Sequence, residues 1–387
     1  MKQKRSQSSS ELKNPVLDHP KADEVEVSLF GPSYGESIVI HAGHGVWFVI
    51  DSCTVPGTGK SRCIDYFEEI GVDIATAVKA VIVTHWDQDH IRGLSQLFDA
   101  AENADLVISG AVFCEDFITL IQLYRDSGFG RGGGVQEFAK VLEILKKRNK
   151  KPKLVVEQTT IWNRDKDGTE EACLVALTPS SATVIDGHLH LHELLRTSQT
   201  QNLRLIETNR NDRSIVLWLK IGSAVALFGS DLEEVGDNNR GWSAVLLSSV
   251  GRSKSQLFKV PHHGSETAHE DRVWSDLLVP KPPAILAPWR RGATALPTVE
   301  DVQRLQTKTD RLYVTTIPQN ARKRRPAMVE ALIRSAVKQI RLVDESLGHV
   351  RLRTKFSSRN PVWSAALFHG AKKIEGRMAK AFPKAGL

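Results

Sequence analysis

The chain has 387 residues, 41% of them hydrophobic and 25% charged, with a formal net charge of +7. That balance suits a soluble globular protein with a core of useful size, of one large or two modest domains. No apolar run reaches the ~18 residues that span a bilayer, and Met1 to Pro15 is Lys/Ser/Gln-rich with no apolar stretch of a secretory signal, so a cytoplasmic protein with no membrane association is expected.

Residues 1–22 read as a disordered tail. Glu24-Val-Glu-Val-Ser-Leu-Phe30 alternates at period 2 and predicts a strand. Gly31-Pro-Ser-Tyr-Gly35 breaks it, and two β-rich runs over 37–41 and 46–51 predict a hairpin. A helix is expected over 63–70. Lys79-Ala-Val-Ile-Val-Thr84 predicts a buried strand, followed by a helix over 91–101. Further helices are predicted over 117–125 and 135–148, flanking a glycine-rich flexible loop at 128–134. A short strand at 174–177 precedes a helix over 186–197 that carries His188, His190 and His192. The runs 214–221 and 224–229 predict a second hairpin, with later strands at 257–261, 284–287, 312–315 and 349–354. Helices are expected between them over 242–249, 271–278, 299–306 and 328–337. Trp47, Trp218, Trp242 and Trp274 sit in apolar patterns and are expected in the core. Two blocks, each beginning with antiparallel hairpins, predict two packed sheets with helices outside, an α/β protein of αββα sandwich type.

The charge is unevenly spread. Residues 301–387 hold 19 Lys and Arg against 6 Asp and Glu, while the rest of the chain holds 33 against 39. A basic end on a mildly acidic body suggests a polyanionic partner, and a solvated basic tail is the alternative. Within it, Arg322, Lys323, Arg324 and Arg325 are candidates for contacts to nucleic-acid phosphates, or else plain surface. Cys53, Cys63, Cys114 and Cys173 are scattered and read as reduced thiols.

The chemistry concentrates in Thr84-His85-Trp86-Asp87-Gln88-Asp89-His90. One loop at a strand end can present several of these side chains together, and imidazole and carboxylate both suit divalent metals. A solvated loop is the alternative. The position after a wholly apolar strand and before Ile91-Arg92-Gly93 favours the metal reading.

This loop, H-x-D-x-D-H, resembles the H-x-H-x-D-H of the metallo-β-lactamase superfamily, and its Asp87 is similar to the ComEC-like branch, where Asp takes the place of the second His. Gly35-Glu36-Ser37-Ile38, Val49-Ile50-Asp51-Ser52, Asn211-Asp-Arg-Ser214, Leu227-Phe-Gly-Ser-Asp231 and Lys259-Val-Pro-His262-His263-Gly264-Ser265 resemble further segments of that branch, in the same order. The resemblance covers roughly residues 24–316. It implies a metallo-β-lactamase-fold domain over 23–356, with 357–387 left as a basic C-terminal tail. It implies His85 and Asp87 on one metal, Asp89, His90 and His262 on a second, and Asp231 bridging the two. Asp89, Asp231 and His263 take the catalytic places, with His263 as a donor behind the ligands or a general acid, and a merely structural His263 as the alternative. Two divalent ions ~3.5–4 Å apart acidify a water and hold both attacking and leaving oxygens, so no Ser, Cys or Lys nucleophile is required.

Three departures stand out. Asp87 replaces a His, which shifts the site toward Mn²⁺ or Mg²⁺ relative to Zn²⁺. Ser230 stands where the branch has Gly. Ala295-Leu-Pro-Thr298 lacks a His that the branch often carries before Pro. The third ligand of the first metal has only His188, His190 and His192 as candidates, and a solvated helix face is the favoured reading of those three. The implied activity is hydrolysis of phosphodiester bonds, of DNA or RNA. A small-molecule hydrolase (phosphoester, cyclic nucleotide or lactone) and a non-catalytic metal-binding signalling protein are the alternatives. The Gly31–Ser37 and Thr84–Trp86 phrasing also resembles stand-alone bacterial proteins found among phage-defence genes.

Overall fold

The computed structural model describes residues 15–32, 34–126, 134–164, 170–198, 211–291, 294–317, 327–336 and 347–384. Arg322, Lys323, Arg324 and Arg325, residues 1–14 of the expected tail and nearly all of the glycine-rich loop lie outside the described residues.

The first six strands are β1 (Glu24–Gly31), β2 (Ser37–Ala42), β3 (Trp47–Ile50), β4 (Val78–Val83), β5 (Asp105–Ser109) and β6 (Lys153–Val155). They run side by side in that order, antiparallel from β1 to β3 and parallel from β3 to β6. The second sheet starts with β7 (Thr159–Arg164), β8 (Ala172–Ala176), β9 (Leu217–Ile221) and β10 (Ala224–Phe228), all antiparallel. It continues in parallel with β11 (Leu257–Lys259) and β12 (Ala284–Leu286). A small hairpin, β13 (Trp289–Arg291) and β14 (Thr294–Leu296), stands apart before β15 (Leu312–Val314) extends the second sheet. The chain then returns to the first sheet as β16 (Gly348–Lys355) and β17 (Ser364–Phe368), and ends on the second as β18 (Lys372–Lys373).

Period-2 alternation decides which face each residue meets. On β1, Val25, Val27 and Leu29 enter a core shared with Leu217, Leu219 and Ala226 of the other sheet, so the sheets pack face to face. The next residue along, Phe30, enters the opposite core, beneath helices. That layer holds α1 (Arg62–Glu69), α2 (Ile74–Ala77), α3 (Gln88–Ile91), α4 (Leu94–Ala100), α5 (Glu115–Asp126), α6 (Gly134–Lys147) and α7 (Ser181–Ser198). Phe67, Phe98, Phe117 and Phe138 anchor it to the first sheet. On the far side, α8 (Gly241–Ser248) and α9 (Val299–Lys308) cover the second sheet through Trp242, Val245, Val302 and Leu305. Helix α9 starts at a reciprocal capping box between Thr298 and Asp301. A last helix, α10 (Ala327–Ala336), leaves Met328 and Leu332 exposed. The order is helices, sheet, sheet, helices: the expected αββα sandwich. Trp47, Trp218 and Trp242 are buried and Trp274 packs against the same core as Trp242, also as expected. Among the described residues no helix is long and apolar enough to cross a membrane.

Three expectations need correction. The helix over 91–101 is two pieces, because Gly93 takes a left-handed conformation (φ 74°) between α3 and α4. Strands β5, β6, β7, β13, β14, β17 and β18 were not foreseen; β6 and β17 expose residues and so lack a continuous apolar run. Most consequentially, 357–384 is no tail. Strand β17 pairs with β16 across five residue pairs, β18 pairs with β15, and Trp363, Phe368, Ile374 and Phe382 are buried. Its basic residues are the polar side of structured elements that bury large apolar side chains. Likewise, residues 15–22 are tied down at Asp18, which pairs with Arg351 and Arg353.

Candidate metal centre

The parallel strands β3 and β4 of one sheet, and β10, β11 and β12 of the other, deliver their carboxyl ends to one region. Loops after those ends carry the side chains that meet there: Asp51 after β3, the His85–His90 loop after β4, Asp231 after β10 and His263 after β11. Gly35 permits the close approach of the β1–β2 turn. Its φ is +112°, a Cβ there would lie 3.0 Å from the Asp89 carbonyl, and the neighbouring Glu36 N–H donates to that carbonyl at 2.9 Å.

Two groups of potential ligands result, Asp89 with His90, Asp231 and His263, and Asp51 with His85 and His90, each with its ligand atoms within 4.8 Å of one another. All six residues are buried. His90 Nε2 lies 3.2 Å from Asp231 Oδ2, and His263 Nε2 lies 3.4 Å from the same oxygen and 3.3 Å from Asp89 Oδ2. His85 Nε2 approaches Asp231 Oδ2 at 3.9 Å.

Hydrogen bonds set the direction of each imidazole. Asp51 accepts from the Thr84 amide (2.8 Å), from the Thr84 hydroxyl (2.7 Å) and from His90 Nδ1 (2.8 Å). The single Thr84 hydroxyl proton is thereby used, so Thr84 Oγ1 accepts from His85 Nδ1 at 3.0 Å. His263 Nδ1 donates to the Ala287 carbonyl at 2.8 Å. Each ring therefore turns its Nε2 inward, and these outer partners fix tautomer and orientation as metal-ligating histidines require.

The Nε2 atoms of His85, His90 and His263 and Oδ1 of Asp231 are buried and make no hydrogen bond. Orphaned polar atoms of this kind are costly unless a further partner binds them. Imidazole nitrogens and carboxylate oxygens together are a donor set for Zn²⁺ or Mn²⁺. The residues present thus fit a divalent metal.

Charge supports the same reading. Burial opposes ionisation of Asp231, but the His90 and His263 rings and the Lys259 ammonium hold it well below the usual carboxylate range. Asp89 is likewise held low against burial by His263 and His90. Burial also opposes protonation of His90 and His263, yet the carboxylates, Asp231 foremost, raise both above an ordinary imidazole. His85, governed by burial and then by the charge of His90, falls to about 3. The cluster calls for positive charge at its centre. Behind it Lys259, with no exposed surface, lies 2.5 Å from Glu36 Oε1, donates to the Ser230 carbonyl at 2.9 Å and stands 3.7 Å from Asp231 Oδ1.

Of the residues expected at the site, His85, Asp89, His90 and Asp231 come together. The two adjacent histidines face the opposite way from the expectation. His263 faces the carboxylates, whereas His262 turns away to Glu233 (Nδ1–Oε1 2.8 Å) and Asn211 (3.3 Å). The physical reason is backbone conformation: His262, His263 and Gly264 have φ of 43°, 52° and 85°, so this left-handed turn sends successive imidazoles opposite ways. Asp87 is half-buried at the N-terminus of α3, makes no capping bond and belongs to neither ligand group. His188 bonds the Gly110 carbonyl and His192 pairs with Asp116, and neither they nor His190 belong to a ligand group. Asp51, Glu36 and Lys259 were given no role from sequence. The legible signal was Asp51 at the polar end of an apolar run; in the structure it takes the left-handed region at φ 57°.

No family model matches the chain, and no curated protein does. Solved structures are similar to it in part. The metallo-β-lactamase-fold protein YhfI from Bacillus subtilis is 12% identical over 61% of this chain and 70% of its own, with a TM-score of 0.30. A Cronobacter sakazakii metallo-β-lactamase with a HARLDQ motif is 13% identical over 60% and 73%, with a TM-score of 0.33. Zn²⁺-bound PqqB from Methylobacterium extorquens is 10% identical over 58% and 60%, with a TM-score of 0.27. Two face-to-face mixed sheets between helical layers, with a His/Asp cluster at the strand ends, define an αββα sandwich, the architecture that the sequence resemblance implies.

Proposed function

We propose that this chain is a metal-dependent hydrolase of phosphodiester bonds, with nucleic acid as its substrate class. The observation that carries the reading is the convergence of three inward Nε2 atoms, from His85, His90 and His263, on the carboxylates of Asp89 and Asp231. His90, His263, Asp89 and Asp231 would hold one divalent ion, and His85 with Asp231 would contribute to a second. When bound, such ions polarise a phosphoryl oxygen and acidify a water to near neutrality. The chain's own task is positioning. Asp51 and Thr84 orient two imidazoles, Ala287 orients the third, and Lys259 fixes Asp231 while lowering the local negative charge.

Phosphodiesters are favoured over lactones because Arg92 and Arg291 lie close enough to Tyr34, beside Asp89, to bias its hydroxyl. An anionic substrate gains from that pair, whereas a neutral ester does not. The setting in phage defence rests on sequence phrasing alone.

The test is hydrolysis by purified protein loaded with Mn²⁺, Mg²⁺ or Zn²⁺, offered a chromogenic phosphodiester, DNA, RNA and a lactone. Turnover of diesters is expected. Protein that holds metal but cleaves only the lactone would end the phosphodiester reading.

A further inference from the structure

A row of rings and cations leads outward from the metal centre. Trp289 lies against His263 with ring centroids 6.3 Å apart and planes 24° from parallel. Tyr34 follows, 6.1 Å from Trp289, with its hydroxyl on Gln88 of the metal loop at 3.3 Å. The Arg92 guanidinium sits over the Tyr34 ring at 5.0 Å. Trp289 and Tyr34 are only half-buried, and Arg92 and Arg291 are exposed. Strand alternation puts Trp289 and Arg291 on one face of β13, a hairpin that belongs to neither large sheet. Burial raises the Tyr34 hydroxyl, with Asp89 adding to it, while Arg291 and Arg92 oppose. One small area therefore feels the metal-loop carboxylates and both arginines.

We propose that Trp289, Tyr34, Arg92 and Arg291 form the binding rim for single-stranded nucleic acid, with a base stacked on the aromatic platform and the two arginines on neighbouring phosphates. Stacking on a side chain needs an unpaired base, since duplex bases offer no free face. Aromatic-plus-arginine surfaces of this kind tolerate any sequence, because every base has a π-face. The row starts on a metal ligand, so a strand laid along it carries a backbone phosphate to the site. This inference rests on the phosphodiester reading for its use, but its test does not.

Binding is measured by fluorescence anisotropy on the full chain reloaded with Mn²⁺, using a short phosphorothioate single strand, which resists cleavage, and the matching duplex. The wild-type protein should prefer the single strand. Trp289→Ala should weaken that binding about tenfold or more, and Trp289→Phe, which keeps a ring, should restore most of it. Arg92→Ala and Arg291→Ala should each take about 0.7 from the log–log salt slope. Equal affinity for duplex and single strand, or a Trp289→Ala protein that binds like wild type, overturns the rim. If the wild type hydrolyses a small diester while the rim fails, the hydrolase reading stands without it. Trp289-dependent binding by a protein that cleaves no diester supports the rim and removes the hydrolase reading.

Discussion

Lys259 and Glu36 form an ion pair in which neither side chain reaches solvent, with Nζ 2.5 Å from Oε1. Burial alone would strip the proton from Lys259, yet Glu36 and then Asp231 raise its affinity for one. The pair joins the β1–β2 turn to the end of β11, and Lys259 reaches Asp231 as well. Removing one partner leaves the other charged and buried. Lys259→Met should therefore destabilise the protein by about 3–5 kcal/mol in denaturant unfolding. Adding Glu36→Gln should recover part of that loss. A single Lys259→Met protein as stable as wild type would show that Glu36 takes up a proton and needs no partner.

Metal content separates the two adjacent histidines. His263→Ala and Asp231→Ala remove ligand atoms from the converging group, so each should lose at least one ion per chain in elemental analysis of reloaded protein. His262→Ala removes a partner of Glu233 and should keep its metal. Asp51→Asn keeps shape but weakens the acceptor for His90, and should lower metal affinity about 10–100-fold. Retention by His263→Ala together with loss by His262→Ala would reverse the assignment.

The layers of the fold were legible because each rests on a local pattern. The wholly apolar β4 and the alternation of β1 state which faces are buried before any partner is known. The His85–His90 loop was legible because four chemistry-bearing residues, His85, Asp87, Asp89 and His90, fall beside one strand end. What stayed hidden depends on residues far apart in sequence. Nothing local to Lys259 says that Glu36 will lie against it, and nothing in His262-His263 says which ring faces inward, since three successive positive φ angles decide it. The C-terminal segment misled because its Lys and Arg far outnumber its Asp and Glu and its apolar residues follow no regular period, although Trp363 and Phe382 are the ones that pack.

Acid should destabilise the protein through two buried neutral histidines outside the metal centre. Burial, and then the charge of His19, lowers His41 to about 3, and its Nε2 accepts the Gly45 amide at 3.1 Å. Burial, and then Arg62 and Arg351, holds His349 well below 6.5, between Phe30 and Phe368. Unfolded, each takes a proton near 6.5; folded, each refuses it until far lower pH. The unfolded state thus binds more protons below pH 6.5, and stability falls as pH falls. Each site contributes about 1.4 kcal/mol per pH unit, or about 2 kcal/mol at pH 5. His349→Gln cannot charge, so its stability between pH 6.5 and 5 should decline less steeply by one proton's worth. An unaltered slope in that variant would exclude His349 as a source of acid lability.

Truncation before residue 357 tests whether the basic end is fold or appendage. It would strip β17 from β16 and leave that strand's outer edge unpaired, an invitation to aggregate. It would also remove Trp363, Phe368, Ile374 and Phe382, whose burial contributes about 1.5–3 kcal/mol each. The sum rivals the ~5–15 kcal/mol by which a domain is stable at all. The truncated chain should therefore be insoluble or unfolded by circular dichroism. A milder variant keeps the question open to measurement. Phe382→Ala leaves every charge in place, empties a buried position packed in the core of the second sheet, and should cost about 3–5 kcal/mol. Replacing the exposed Lys372, Lys380 and Lys384 by Gln should leave stability within about 0.5 kcal/mol per site. A truncated protein that folds with wild-type stability would return 357–384 to the status of a solvated tail.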